Sequence, residues 1–365
     1  LTDFVGATTD GCYGVVGFDF KSVHDPLVAR KSWFFFDDQY VCLGSGISTK
    51  LKNKVNTTIN QCWLNGPVNI NSKGKNRKID NGSHVYQNVE WIHHDNVAYF
   101  LPASGDIAVH NDLAEGSWWR VNKQINSPKD KISKEVFKLW FDHGVSPNNE
   151  SYEYIVRPNT TLDELKKGKV INPINIIANT PYLQAVHNRR VNLIQAVFYR
   201  AGQLKVSNEF TIQASAPCIL MVQLNKKEQI KQITVSDPNR ELSILVLNLS
   251  KKFEVRAENY KSEWMADPGY TQVIVNLPEK GYSGKSVVLI NGRRAPVLGR
   301  IAMNMCMVDV SHLDGVIAGQ TVTLLGKDQN LRISAEELAE MSQTITYEVL
   351  TRVSNHLPRI IINSE

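Results

Sequence analysis

The stretch Ala29-Arg30-Lys31-Ser32-Trp33-Phe34-Phe35-Phe36-Asp37-Asp38-Gln39-Tyr40-Val41-Cys42-Leu43 decides how this chain folds. Aromatic and β-branched residues, which suit a pleated, half-buried surface, crowd positions 33–36 and 40–43, and the polar Asp37-Asp38-Gln39 breaks them apart. The stretch therefore reads as a hairpin. Working outward, residues 89–93 and 97–101 repeat the grammar around Asp95-Asn96, and 136–141 and 152–156 repeat it around the turn-rich 142–149. Turn signals at such regular spacing predict stacked antiparallel sheets.

Helical signal is sparse before residue 330. Residues 161–167 make a short helix, with Thr160 or Thr161 as cap and Gly168 as stop. The β pattern resumes through 218–222, 230–235 and 242–249, which places a boundary near 181–190. The last segment differs in texture. Strands at 286–290, 308–310 and 321–325 precede a helix over 333–341, opened by a Ser334/Glu337 capping box, and a second helix over 347–353. The expected fold is all-β: an antiparallel multi-sheet sandwich over 1–185, a second, smaller β domain over 186–288, and a β-rich tail with one or two short helices over 289–365.

Composition narrows the function classes. The 365 residues are 21% charged and 42% apolar, the usual globular balance, with no apolar run of about 18 residues that would cross a bilayer. No membrane partner is expected. The chain begins at Leu1, and its first ten residues lack a basic start followed by an apolar run, so no secretion signal is read there and the chain is expected to be cut from something longer. Cys12, Cys42, Cys62, Cys218 and Cys306 are odd in number and scattered, which predicts plain thiols and no metal site.

A net charge of +5 says little, but its clustering says more. Lys73, Lys75, Arg77 and Lys78 lie in a Gly/Asn/Ser-rich stretch that reads as an exposed loop. Close cations add their potentials over a Debye length of about 8 Å, enough to attract a sulfated or uronic-acid polymer. A solvated turn without a ligand is the alternative. No stacking aromatics are interleaved with these cations, so nucleic acid is not expected. Trp118-Trp119 offers a sugar-stacking face, although two neighbours on a strand would point apart and leave one ring for a glycan. By the same alternation His93 and His94 cannot share one atom of a substrate or metal. His143, beside Asp142, reads as a turn residue making local hydrogen bonds.

Two resemblances organise these observations. Val5-Gly6-Ala7-Thr8-Thr9-Asp10-Gly11-Cys12-Tyr13-Gly14, the block over 30–46, Trp91-Ile92-His93-His94-Asp95, Gly116-Ser117-Trp118-Trp119, Asp142-His143-Gly144 and Tyr152-Glu153-Tyr154 resemble the chondroitin and hyaluronan lyases of polysaccharide lyase family 8. The resemblance runs over about 1–288. It implies the β domains of a glycosaminoglycan lyase, an acidic polysaccharide as partner, and a secreted or periplasmic location. In that family β-elimination needs a charge neutraliser for the uronate, a base at its C5 proton and a donor to the leaving oxygen. The resemblance implies that the helical domain and the first central strands supply these groups. None maps onto a residue here, so no catalytic residue is assigned.

From about 287 onward, Leu289-Ile290-Asn291-Gly292-Arg293-Arg294-Ala295-Pro296-Val297-Leu298-Gly299-Arg300 and residues 333–341 resemble the C-terminal domain of alanine racemase. The resemblance implies a dimer contact through this tail. It also implies that Met303 corresponds to a position holding the substrate carboxylate, and Tyr347 to one touching the phosphate of pyridoxal phosphate. Asn304 stands where that family carries Asp. The barrel with the Schiff-base lysine has no counterpart in this sequence, so no cofactor is expected unless another chain completes the tail, and no racemization is expected. A non-catalytic carbohydrate-binding module and a racemase-related protein are the alternatives to a lyase-like one.

Overall fold

The computed structural model describes residues 2, 4–102, 105–254, 256–257, 260–277, 287–298, 306–341 and 345–351. The chain divides into two compact units, Leu1–Leu277 and Pro278–Glu365.

In the first unit, nine of the described strands form one antiparallel sheet, in the order Val5–Thr9, Gly14–Lys21, Val28–Phe35, Tyr40–Ser48, Glu150–Arg157, Val97–Phe100, Val89–His94, Asn69–Ser72 and Lys75–Lys78. The deciding hairpin lies inside this sheet, with Trp33 opposite Cys42 and Phe34 opposite Val41. Both of its faces are covered. Cys42 packs in one core with Ile70, Ile92, Val109, Phe137 and Leu139, while Phe34, Val41 and Leu43 pack in another with Ile155, Val197 and Ile219. Successive side chains on a strand point to opposite faces, so a strand covered on both sides must be apolar at consecutive positions. That is why Trp33 and Phe34 follow each other without a polar residue, while Phe35, at the strand's end, is 42% exposed.

Each core has its own opposing sheet. Lys54–Trp63, Ile132–Val145, Ile107–Gly116 and Ser83–Tyr86 make a four-stranded sheet over the first. Ile174–Thr180, Leu183–Asn188, Leu193–Phe198, Cys218–Leu224 and Ile230–Ser236 make a five-stranded sheet over the second. The far face of that sheet packs Phe198, Leu220 and Val222 against Ile212, Leu247 and Val273 of a six-stranded sheet. Four layers and three apolar cores result. One polar bridge crosses the second core: Nε2 of the fully buried Gln184 donates to Asn179 Oδ1 at 2.9 Å and Ser45 Oγ at 3.2 Å, and its Oε1 accepts from the Tyr199 hydroxyl at 2.9 Å. Buried polar groups need such partners to offset their lost hydration.

Local readings are met in several places. Asp95 and Asn96 take positive φ angles of 48° and 58° between Val89–His94 and Val97–Phe100, the two-residue hairpin that Asp and Asn tolerate. The helix Leu162–Lys166 starts at Thr161 with a capping box to Glu164, and Gly168 follows with φ of 63°. Other readings are corrected. Residues 136–141 and 152–156 do not form a hairpin, because Ile132–Val145 belongs to the four-stranded sheet and Glu150–Arg157 to the nine-stranded one. Their connection carries the chain from one layer to the next. Position 185 falls within Leu183–Asn188, whose sheet begins at Ile174.

The second unit is smaller. Val287–Ile290, Arg293–Leu298 and Met307–Val308 form a three-stranded sheet whose first turn, Asn291-Gly292, takes φ of 52° and 67°. Gly326–Asp328 pairs with Leu331–Ile333, and the helices Ala335–Met341 and Thr346–Thr351 follow. Ser334 Oγ accepts from Glu337 N at 3.1 Å, the cap read from the sequence. Residues 321–325, expected as a strand, are reduced to the single bridge Leu289↔Thr323.

Candidate functional site

Asn69–Ser72 and Lys75–Lys78 form a hairpin at the rim of the nine-stranded sheet, so three of the four cations expected on a loop, Lys75, Arg77 and Lys78, stand on an edge strand. The turn is made by Lys73 and Gly74 with φ of 54° and 71°, and Gly74 N donates to Glu90 Oε1 at 3.0 Å. All four residues of the edge strand are exposed. Strand alternation puts Lys75 and Arg77 on one face and Asn76 and Lys78 on the other. Asn76 Oδ1 is occupied by Asn71 Nδ2 at 2.7 Å.

On the first face lies an open groove of about 630 Å³ lined by Ser72, Lys73, Lys75, Arg77, Tyr86 and Asn88, among others. The Arg77 guanidinium sits 5.2 Å from the Tyr86 ring centroid, and His84 stacks on the same ring at 5.9 Å. A planar cation over an aromatic face is held in place while its outward N–H groups remain free to meet an anion. Three of the four expected cations thus converge on one groove with an aromatic floor. Lys78 does not line it.

Trp118 and Trp119 open a short helix, Trp118–Val121, capped by Ser117, so they are not neighbours on a strand. Lys129 Nζ covers the Trp119 ring at 4.8 Å, while Trp118 is 59% exposed. Neither lines the groove.

A second cationic groove, of about 660 Å³, was not read from the sequence; Arg157, Lys169, Asn172, Arg189 and Arg190 line it. Asp38, at the tip of the deciding hairpin, orients two of these groups. It accepts two hydrogen bonds from Arg190, at 2.7 and 3.1 Å, and an ion pair from Arg157 at 3.0 Å. The Arg190 hydrogen bonds hold its carboxyl below the usual carboxylate range. A folded-state pKa lower than the unfolded one adds stability that is fully present above the unfolded value, near 3.9, and lost as pH falls through the folded one. Asp38→Asn should therefore lower the melting temperature at neutral pH, and the gap to the parent should narrow below about pH 4 in thermal melts across pH. A gap that stays constant through that window would disprove the linkage.

His93, His94, His143 and the core tyrosines are engaged elsewhere. His93 Nε2 lies 2.8 Å from Thr160 O, and His94 Nε2 accepts from Asn65 N at 3.0 Å while its ring stacks on Phe137 at 4.4 Å. His143 Nε2 lies 2.8 Å from Thr57 Oγ1, with Phe141 and Tyr152 as ring neighbours. Burial lowers the pKa of all three histidines and raises those of Tyr152 and Tyr154, so these groups favour their neutral forms. None of them lines either groove. Among the described residues no three His, Cys, Asp or Glu side chains gather as a metal site. No described helix is long and apolar enough to cross a membrane.

Residues 1–169 match the polysaccharide lyase family 8 super-sandwich domain, and 175–245 match the family's C-terminal β-sandwich domain. Over this stretch the chain belongs to polysaccharide lyase family 8. Chondroitinase-AC of Pedobacter heparinus is 36% identical over 248 residues, which is 68% of this chain and 34% of that protein. A solved chondroitinase AC lyase, described with oligosaccharide complexes, superposes with a TM-score of 0.65 at 31% identity, covering 76% of this chain and 38% of that one. The family 8 part thus spans about a third of the length of the lyases it matches. Residues 268–361 match the alanine racemase C-terminal domain. Alanine racemase of Leptospira interrogans is 41% identical over 85 residues, 23% of this chain and 22% of that protein.

In this racemase-like tail Met303 lies outside the described residues, and Tyr347 is 79% exposed on the helix Thr346–Thr351. The described residues of the tail do not fit pyridoxal phosphate. Lys327, the lysine among them, is exposed on a hairpin strand rather than enclosed where an aldehyde would be held.

Proposed function

We propose that the family 8 part of this chain is the β-sheet portion of a lyase acting on uronic-acid polysaccharides, and that it grips the polymer without carrying the elimination site. Convergence of Lys73, Lys75 and Arg77 on one groove, with Arg77 over the Tyr86 ring, supports this reading. Ammonium and guanidinium groups attract sulfate and carboxylate, and the Tyr86 ring holds the Arg77 guanidinium in place for that contact. Chondroitin sulfate and hyaluronan are the substrate class. Elimination needs an acid, a base and a charge neutraliser converging on one sugar, and His93, His94, His143, Tyr152 and Tyr154 line neither groove. Those groups would come from a helical domain outside this chain, in a secreted or periplasmic enzyme. The racemase-like tail would serve as a dimer contact.

Calorimetric titration of the 365-residue chain with chondroitin sulfate at low salt tests the grip. Lys75→Ala/Arg77→Ala should weaken binding on the order of tenfold and reduce the dependence of log affinity on log salt by roughly two contacts. Absence of binding by the parent at low salt ends the proposal. Robust release of unsaturated sugars by this chain, read by ultraviolet absorbance, would refute the division of labour.

A further inference from the structure

The groove at the edge strand is not isolated. It shares Lys73 and Asn88 with a neighbouring depression of about 450 Å³, which continues past Phe100 and Pro102 to Asn172. Asn172 in turn lines the groove of Arg157, Lys169, Arg189 and Arg190. Shared lining residues make the three depressions successive neighbours, all within the first unit. Their charge is uneven. Cations stand at both ends, Lys73, Lys75 and Arg77 at one and Lys169 and Arg189 at the other, whereas the middle offers the half-buried Phe100 ring, Pro102 and one carboxylate, Glu90. That carboxylate is taken up by Gly74 N at 3.0 Å.

We infer that these depressions form one track for an extended anionic polysaccharide, with Lys169 and Arg189 as a second anchoring site remote from the edge strand. This rests on the glycan-binding reading above and extends it. The two ends differ in build. Asp38 holds Arg157 and Arg190 in place and offsets part of their charge, while Lys169 and Arg189 are exposed and make none of the described side-chain ion pairs. Flexible, solvated cations recruit a passing anionic group with little desolvation cost, and the fixed pair gives that group a planar surface. A ligand reaching both ends must be long, linear and repeatedly charged. A sulfated or uronic-acid polymer has those properties.

Lys169→Ala/Arg189→Ala in the full chain tests this, with short chondroitin oligosaccharides and long chondroitin sulfate chains as probes. Both residues are exposed, so the fold should persist. Long-chain affinity should drop on the order of tenfold, with a salt dependence lower by roughly two contacts, while short-oligosaccharide affinity stays at the parent value. Lys75→Ala/Arg77→Ala should instead weaken both probes. Unchanged long-chain affinity in Lys169→Ala/Arg189→Ala would overturn the track and leave the edge-strand grip standing. A parent that binds neither probe at low salt would overturn both. Equal long-chain binding to polyaspartate would overturn the assignment to a glycan.

Discussion

Phe34→Ala is expected to destabilise the family 8 unit by about 3–5 kcal/mol, whereas Phe35→Ala, one residue along the same strand, should cost about 1 kcal/mol. The two residues share chemistry and backbone and differ only in which face of the nine-stranded sheet they meet. Phe34 is fully buried among Val41, Leu43, Ile155, Val197 and Ile219, where truncation removes transfer free energy and leaves a cavity that flanking sheets cannot close. Phe35 is 42% exposed with Tyr40 as its ring neighbour at 5.8 Å, so water fills the space that alanine vacates. Guanidinium unfolding midpoints of the two variants and the parent give the comparison. Equal losses would mean that the five-stranded sheet does not cover this face.

The same pair of residues shows what was legible in the sequence. The aromatic run announces a strand and its polar break announces a turn, because both signals are local. That the strand is covered on both sides is a tertiary fact, visible only as missing polar alternation. Turn chemistry is equally local, so Asp95-Asn96 and the Ser334–Glu337 cap were readable, while the partner of each strand was not. Residues 136–141 and 152–156 look like a hairpin and lie in different sheets, since a polar loop reports a reversal and says nothing about hydrogen-bond pairing. The strand Lys75–Lys78 read as a loop because an edge strand exposed on both faces has no apolar alternation to show. Trp118 and Trp119 misled for a related reason: a single helical turn capped by Ser117 is too short for a 3.6-residue period to register. The cluster of Lys169 with Arg157, Arg189 and Arg190 had only one sequence signal, the adjacent Arg189-Arg190, because folding brings the rest together.

Gly44→Ala should be as damaging as a core truncation, although it adds only one methyl group. Gly44 lies opposite Tyr152 in the pairing of Tyr40–Ser48 with Glu150–Arg157, and the Tyr152 ring leans across it. A Cβ built on Gly44 would meet Tyr152 Cε1 at 2.0 Å, Cζ at 2.3 Å and Cδ1 at 2.6 Å, well inside any van der Waals contact. The ring has little room to withdraw. Tyr152 is 4% exposed, and its ring has Phe141 and Tyr154 as neighbours, each at 5.8 Å. Overpacking of this kind costs about 1–3 kcal/mol where neighbours yield, and the upper end applies because the obstacle is an aromatic ring in the first core. Tyr152→Phe should not relieve the clash, since all three offending carbons remain. Tyr152→Val removes them and makes its own cavity, so the double variant Gly44→Ala/Tyr152→Val should lose less than the sum of the two single losses, by roughly 1–3 kcal/mol of coupling. Strict additivity in unfolding titrations of the four proteins would show that the ring does not lie over the glycine.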